Sequence, residues 1–472
     1  MEKKKWTSYG EIYNAIVSAM TNDYAGAKDR KAWNDPHVAA RVSLFHSRSF
    51  HGDDAEFLRL VRLYLGLFGD PNLSLKKAGS DPIRDWQPGF SVRADEDFLY
   101  VTKAPEEERL HPGDKIRKLG GLPVPDFRKG NRGRLLCGDV PERENWDYFL
   151  QYADSFEAES EDGSRRTLKT KHFPVQEREE RTEFRRLDEN YFYVRLDSFD
   201  QVEKIEQNSA LHAGELDECP VLILDLRCCR GGDPEGLMPL LPWMAEGGAS
   251  LEELMGEEGY YLLCSHKNCR RIAQEMEREE ELIDNDRCYM EGNQCQNTGL
   301  QQAEQHQSMG LEQTEHYQNI AFEEVEQYRS MLREEKERIL SFSGKGFIWE
   351  EAEVPEEWKI VQSSPFAQGP RRLILLTDTF TCREAELLAK SRKGKKDTVI
   401  AGRATRGDTL YRELVTVSFE DDLFFTYPAA KSKEAMESQG IPEAGVLPDV
   451  VVPWTPQEIR EDMLLKQVLQ LS

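Results

Sequence analysis

Apolar residues recur with three different textures along the chain. In the first 75 positions the spacing is helical: Tyr13, Ile16, Val17 and Met20 share one face. Phe57, Leu58, Leu60, Val61, Leu63, Tyr64 and Leu67 form a second helical stripe, which Phe68-Gly69-Asp70-Pro71-Asn72 breaks. From Pro88 to Val124 the pattern becomes short alternating strands. These are Phe90-Ser91-Val92, Phe98-Leu99-Tyr100-Val101, a turn through Leu110–Lys115 into Ile116, and a hairpin at Gly120–Val124. Trp146–Leu150 reads as a short helix, and Glu159–Lys171, with Asp162-Gly163 at its turn, as a closing hairpin. The third texture is of unbroken apolar runs: Tyr191–Leu196, Val221–Arg227, Leu373–Leu376 and Val399–Ala401. Such runs alternate with helical patterns at 201–216 and 385–389, as strands of a parallel sheet buried on both faces do. Leu423–Tyr427 and Val446–Pro453 predict two further strands.

Between 250 and 345 this order lapses. The segment is rich in Glu and Gln and poor in branched apolar residues, and it predicts an insertion of solvated helices. The expected divisions are therefore 1–85 helical, 86–180 a β domain, 181–249 and 346–472 two parts of an α/β core, and 250–345 the insertion. The whole is an α/β protein with a parallel-rich sheet. Charge adds one exclusion. The chain carries 62 basic against 87 acidic residues, a net −25, which argues against a nucleic-acid partner. No run approaches the roughly 18 apolar residues of a membrane span, and the first 20 positions show no signal-peptide pattern. Nine cysteines without framework spacing suit reduced thiols in a cytoplasm.

The stretch Arg371–Asp408 carries the candidate chemistry. Leu373–Leu376 is a buried strand, Thr377, Asp378, Thr379 and Thr381 supply turn groups, and Ala385, Leu387, Leu388 and Ala389 begin a helix. In such a strand–turn–helix unit the first helical N–H groups are unpaired and point at whatever sits on the turn. That is a scaffold for acyl transfer.

Pro112-Gly113-Asp114-Lys115-Ile116 resembles the corresponding loop of PDZ domains, which bind extended peptides by strand addition. In that likeness the carboxylate loop falls at Gly89, Phe90, Ser91 and Val92, and Trp146–Leu150 is the groove helix. Three further landmarks follow in order: Leu224-Asp225-Leu226-Arg227 with Gly231-Gly232-Asp233, the Thr381–Glu386 turn, and Gly445–Asp449. Together they resemble the carboxy-terminal processing (tail-specific) serine peptidases, including the tricorn-core branch. The resemblance implies an oxyanion loop at Gly231 and Gly232. It also places Arg383 where that family carries its serine, and Asp408, 25 residues on, where it carries a lysine. The tricorn-type histidine falls on Asn72 and a family glutamate on Leu447. A guanidinium has no lone pair with which to attack a carbonyl, so the family reaction loses its nucleophile. The implied function is a peptidase-like protein, catalytically silent, that binds extended peptides or protein C-termini. The alternatives are an active peptidase of serine or cysteine type using other residues, and a structural subunit whose 250–345 lobe holds a partner. No cofactor is implied.

Three other features have two readings each. Cys382 sits one residue before the serine position, where a helix N-terminus lowers a thiol's pKa, but buried inert cysteine is the commoner fate. Arg227, Arg230, Arg383, Arg403 and Arg406 either form an anion pocket for a carboxylate or phosphate, or pair with Asp225, Asp233, Glu384, Glu386 and Asp408. Cys264, His266, Cys269, Cys288 and Cys295 are either zinc ligands at loose spacing or thiols of the insertion. The basic run Lys390–Lys396 reads as a solvated loop.

Overall fold

The computed structural model describes residues 9–30, 54–79, 86–95, 97–131, 135, 141–144, 146, 149–150, 153–175, 179–256, 258–297, 311–363, 372–419, 422–438 and 445–470; at 54, 56, 63, 141, 284–297 and 311–325 only the backbone is described. Two helices, α1 (Tyr9–Asn22) and α2 (Asp54–Gly66), precede strand β1 (Ser74–Lys77). A short ribbon, β2 (Trp86–Gln87) with β9 (Phe173–Pro174), brackets an antiparallel β domain. That domain contains β3 (Ser91–Ala94), β4 (Leu99–Lys103), β5 (Lys115–Leu119), β6 (Leu122–Pro123), β7 (Ser155–Glu159) and β8 (Arg165–Lys169). Its sheet runs β3-β4-β5-β7-β8, with β6 beside β5 and helix α3 (Val124–Gly130) following. The Gly163 turn closes β7 to β8 as its sequence requires: Gly163 has φ 82° and donates its N–H to the Ser160 carbonyl. Of the expected groove helix, Trp146, Phe149 and Leu150 are helical and buried; Asp147 and Tyr148 lie outside the described residues.

The core sheet has the order β10-β11-β12-β15-β16-β19. Its strands are β10 (Thr182–Arg186), β11 (Tyr191–Leu196), β12 (Val221–Asp225), β15 (Arg372–Thr377), β16 (Thr398–Gly402) and β19 (Val450–Val451). All neighbours are parallel except the edge pair β10–β11. The unbroken apolar runs have a direct cause. Phe192, Val194, Leu222, Leu224, Leu373 and Leu375 pack on one face, and Tyr191, Tyr193, Ile223, Ile374 and Leu376 on the other. Helices α4 (Val202–Leu211) and α5 (Ala213–Glu218) replace the single helix expected over 201–216, divided at His212. The strand expected at 446–453 pairs only at Val450–Val451, and that at 221–227 ends at Asp225.

A third, antiparallel sheet joins distant parts of the chain. Its path is β1-β18-β13-β14 with β17 also on β18, where β13 is Gly259–Cys264, β14 Gly346–Glu351, β17 Tyr411–Ser418 and β18 Leu423–Ser432. Apolar residues of α1 and α2 cover it through Ile16, Met20, Phe57, Val61, Phe425 and Tyr427. The insertion expected from residue 250 is thereby narrowed. Leu251–Met255 (α6) packs into the core, and β13 is a sheet strand because Leu262 and Cys264 alternate inward. The long helices α7 (His266–Asn297) and α8 (Leu311–Ser341) leave from β13 and return to β14, tied by Arg333–Glu280 at 2.5 Å. No helix among the described residues is long and apolar enough to cross a membrane.

Candidate functional site

The site lies at the carboxyl ends of β12, β15 and β16, which are adjacent in the core sheet. β15 ends in a turn, Asp378–Arg383, that enters helix α9 (Glu384–Arg392). The turn is bolted on both sides. Thr381 Oγ1 donates to the Leu226 carbonyl at 2.8 Å, Thr377 Oγ1 to the Arg403 carbonyl at 2.8 Å, and the Cys382 N–H to the Cys229 carbonyl at 3.1 Å. Asp378 accepts N–H groups from Cys228 at 3.0 Å and Phe380 at 2.9 Å. Burial would raise its pKa, but Arg93, Arg403 and those N–H bonds outweigh burial and lower it.

Arg383 occupies the apex with φ 54° and ψ −126°, a region in which a side chain is strained by about 1–3 kcal/mol. Its exposed side chain contributes no packing that would offset this. The backbone does: the Arg383 N–H donates to Asp408 Oδ1 at 2.9 Å, and its carbonyl accepts from Glu386 and Leu387 at 2.9 Å. Asn72, delivered by the pairing of β1 with β18, donates through Nδ2 to the Asp408 carbonyl at 2.7 Å and the Tyr411 carbonyl at 2.8 Å. Asn72, Arg383 and Asp408 thus meet, although Asn72 reaches Asp408 through its backbone. Burial, reinforced by Glu386, pushes the Asp408 carboxyl up to about 6. Glu386 is fully buried and accepts N–H groups from Gly407 at 2.5 Å and Thr409 at 3.3 Å.

Opposite the apex, Gly231 and Gly232 have φ 76° and 123°. The Gly232 N–H donates to Glu384 Oε2 at 2.9 Å, so a carboxylate of the protein itself fills this loop. Any side chain at Gly231 would overlap that carboxylate and come within 2.9 Å of the Arg383 Cβ position.

The reactive-thiol reading of Cys382 is not carried by its surroundings. The residue is 3% exposed with Sγ 3.7 Å from the Cys229 carbonyl. Burial, with Asp408 adding to it, pushes the thiol up to about 12, and the helix N-terminus does not reverse this. Among the described residues no histidine bonds Cys382, Arg383 or Asp408; His212 bonds Glu215 and His266 bonds Ser343.

The five arginines divide. Arg227 grips Asp225 and Asp462, both at 2.6 Å, and Arg403 meets Glu458 at 3.4 Å. These two are structural. Arg230, Arg383 and Arg406 are exposed, and among the described residues none forms an ion pair. Apart from Asp225, which Arg227 holds, the expected acidic partners are engaged elsewhere. Asp233 accepts the Glu235 N–H, Glu384 the Gly232 N–H, and Glu386 and Asp408 the N–H groups named above.

In the β domain, β3 is an edge strand, with Ser91 and Val92 in register with β4. Gly89 has φ 76° and lies against the Phe173 ring, and its carbonyl accepts the N–H groups of Glu106 and Glu107. Phe90 is buried against Phe156. The neighbouring residue Arg93 pairs with Asp378 at 3.3 Å and lies 4.9 Å over the Phe380 ring, so this edge abuts the apex turn. Arg93 and Phe380 are the site residues that sequence reasoning did not single out, and no local signal marks them. Glu384 and Glu386 it named as ion-pair partners of the arginines, whereas they accept backbone N–H groups of Gly232, Gly407 and Thr409.

The zinc reading finds no support. Cys264 and Cys269 are buried together, whereas the exposed His266 turns to Ser343 at 2.8 Å. Among the described residues no group of three or more metal-ligating side chains converges. The side chains of Cys288 and Cys295 lie outside the described residues.

Comparison with known proteins gives a family and a fold. The family model for peptidase family S41 matches residues 190–452, more than half of the chain. Among solved structures, mature CPAF complexed with lactacystin superposes with a TM-score of 0.60 at 11% identity, covering 98% of this chain and 97% of that one. Mature CPAF alone gives 0.60 at 10% identity, covering 98% and 96%. The photosystem II D1 C-terminal processing protease reaches 0.41 at 14% identity, covering 96% and 94%. No curated protein matches. At such identities the CPAF likeness shows the fold alone.

Proposed function

The chain belongs to peptidase family S41, and on that premise we propose that it binds extended polypeptides without cleaving them. One observation carries the proposal: the strained apex that in a hydrolase presents a nucleophile here holds Arg383, whose N–H donates to the Asp408 carboxylate. Hydrolysis needs a group that can lose a proton and attack, together with a base to take that proton. A guanidinium supplies neither, and the adjacent Cys382 thiol is buried and protonated at neutral pH. Loss of both members of a catalytic dyad costs several orders of magnitude in rate. Polypeptide binding is supported by the place of β3 at the edge of its sheet among the described residues, where an added strand would gain main-chain hydrogen bonds, and by the Arg93–Asp378 pair that sets this edge beside the apex.

The test is cleavage of an unfolded protein such as fluorescein-labelled casein by the full chain, by Cys382→Ala and by Asp408→Ala. No turnover above the buffer rate is expected from any of them. Sustained turnover by the wild type that either substitution abolishes would overturn the proposal.

A further inference from the structure

We propose that a cleft between α1, the start of α7 and the face of β17 and β18 binds a small amphiphilic monocarboxylate, a saturated chain ended by a single carboxylate. The cleft shares no residue with the apex, and the inference does not depend on polypeptide binding.

Two alanines create the space. Ala15 and Ala19, one turn apart on α1, face Val417, Phe419 and Phe425, and their short side chains leave a cleft of about 500 Å³ between helix and sheet. That volume lies in the range of small-ligand sites. Strand register sets its long axis. Phe425 stands opposite Val417 and stacks on Tyr427 at 5.3 Å, and the Arg271 guanidinium lies 5.6 Å over the Tyr427 ring. The apolar floor thus runs from the cations toward Phe419. On α1 the polar rim runs the same way, from Ser18 beside Lys267 through Asn14 to Glu11, roughly 10 Å at about 1.5 Å per residue.

The cationic end is what calls for an anion. Lys267 and Arg271 are four residues apart at the beginning of α7, where like charges repel and the helix dipole disfavours both. The first turn of that helix carries no acidic residue. Asp23 faces both cations, at 3.8 and 4.0 Å, and among the described residues neither has a closer acidic partner. The buried Asp23 accepts the Ser265 hydroxyl through Oδ1 at 2.7 Å, while its Oδ2 receives no hydrogen bond. The cations therefore stand too far off to hydrogen-bond it. Lys267 Nζ donates to Ser18 Oγ at 3.0 Å and Arg271 Nη1 to the Tyr427 hydroxyl, which leaves further N–H groups on each for a ligand. Two positive groups against one carboxylate leave a charge uncompensated in a chain of net −25. A carboxylate placed between them gains charge-assisted hydrogen bonds, and the chain behind it covers Ala15, Val417 and Phe419. Glu11, at the far end, disfavours a second negative group and so selects a monocarboxylate over a dicarboxylate.

Isothermal titration calorimetry of the full chain, below the micellar concentration, compares decanoate with decanol, acetate and decanedioate. Decanoate should bind saturably at a single site, and the other three should each bind at least about tenfold more weakly. Lys267→Gln and Arg271→Gln should each weaken decanoate about tenfold and leave decanol unchanged. Ala15→Phe should abolish decanoate binding by filling the cleft; the glutamine variants decide the matter alone where this one fails to fold. Decanoate held no better than decanol, or held equally by wild type and both glutamine variants, overturns the inference. So does the absence of saturable decanoate binding, including the case in which a Glu- and Leu-rich peptide binds instead and is lost in Lys267→Gln, the mark of a protein-docking surface.

Discussion

Replacing Asp408 by Asn should make the protein more stable at neutral pH and leave it little changed at pH near 4. Burial and Glu386 push the Asp408 carboxyl from its ordinary 3.8 up to about 6. The folded state therefore holds a proton that the unfolded chain has released, and only between those two values does proton uptake differ. Stability falls as pH rises through that window, because the unfolded state binds fewer protons there. Above it the accumulated cost is about 3 kcal/mol, at roughly 1.4 kcal/mol for each tenfold change in ionisation. Asn keeps an oxygen that accepts the Arg383 N–H and removes the charge. The midpoint of thermal unfolding of Asp408→Asn minus that of wild type should thus grow from near zero at about pH 4 to about 3 °C at about pH 7.5 for a chain of 472 residues. Scanning fluorimetry of both proteins in matched buffers reads this difference, and all other titrations cancel. A difference independent of pH, or one that becomes more negative as pH rises, would show that the carboxylate is stabilised in its charged form and refute the reasoning.

Two further outcomes follow from the same turn. Gly231→Ala should lower stability by about 2 kcal/mol, since the new Cβ meets the Glu384 carboxylate and φ 76° is costly for alanine; adding Glu384→Ala should recover at least about 0.5 kcal/mol of it, and additive midpoints would deny the contact. Cys382 should resist iodoacetamide at about pH 8 in the native protein and react once the chain is unfolded, because its thiol stays protonated; rapid native alkylation, mapped by mass spectrometry, would contradict this.

The parts of this architecture that sequence makes legible are those set by local periodicity. Leu373–Leu376 and Val221–Arg227 read as strands buried on both faces; alternate residues do enter different clusters, although the second strand ends at Asp225. The strand–turn–helix setting located the turn, and the family resemblance placed Arg383 at its apex. What the sequence conceals is each choice decided by contacts across long chain separations. The split of the five arginines rests partly on Asp462 and Glu458, more than 50 residues away, although Arg227 also has a local partner in Asp225 that Arg230 lacks. Arg93 meets Asp378 across 285 positions. The strand Gly259–Cys264 was missed because its sequence composition is averaged with the charged helix that follows, although Leu262 and Cys264 face inward. Cys382 illustrates the competition of two physical effects: the helix N-terminus favours a thiolate, and burial disfavours it more.

The apex geometry is held without any group that would attack a carbonyl. Its bolts are Thr381 to Leu226, Thr377 to Arg403, Cys382 to Cys229 and Arg383 to Asp408, all of which end on backbone atoms of β12, β15, β16 or their loops, or on one carboxylate. A conformation costing about 1–3 kcal/mol is thereby imposed on whichever residue stands at 383. Placing an arginine there changes what is displayed without changing how it is displayed. The same logic explains why Glu384 can turn back onto Gly232: the helix start fixes its Cα beside a glycine whose φ of 123° points its N–H into the cleft. The frame thus displays an arginine and turns the Glu384 carboxylate onto the glycine loop beside it. Under the proposed function, a side chain that cannot attack a carbonyl sits where a nucleophile would support cleavage.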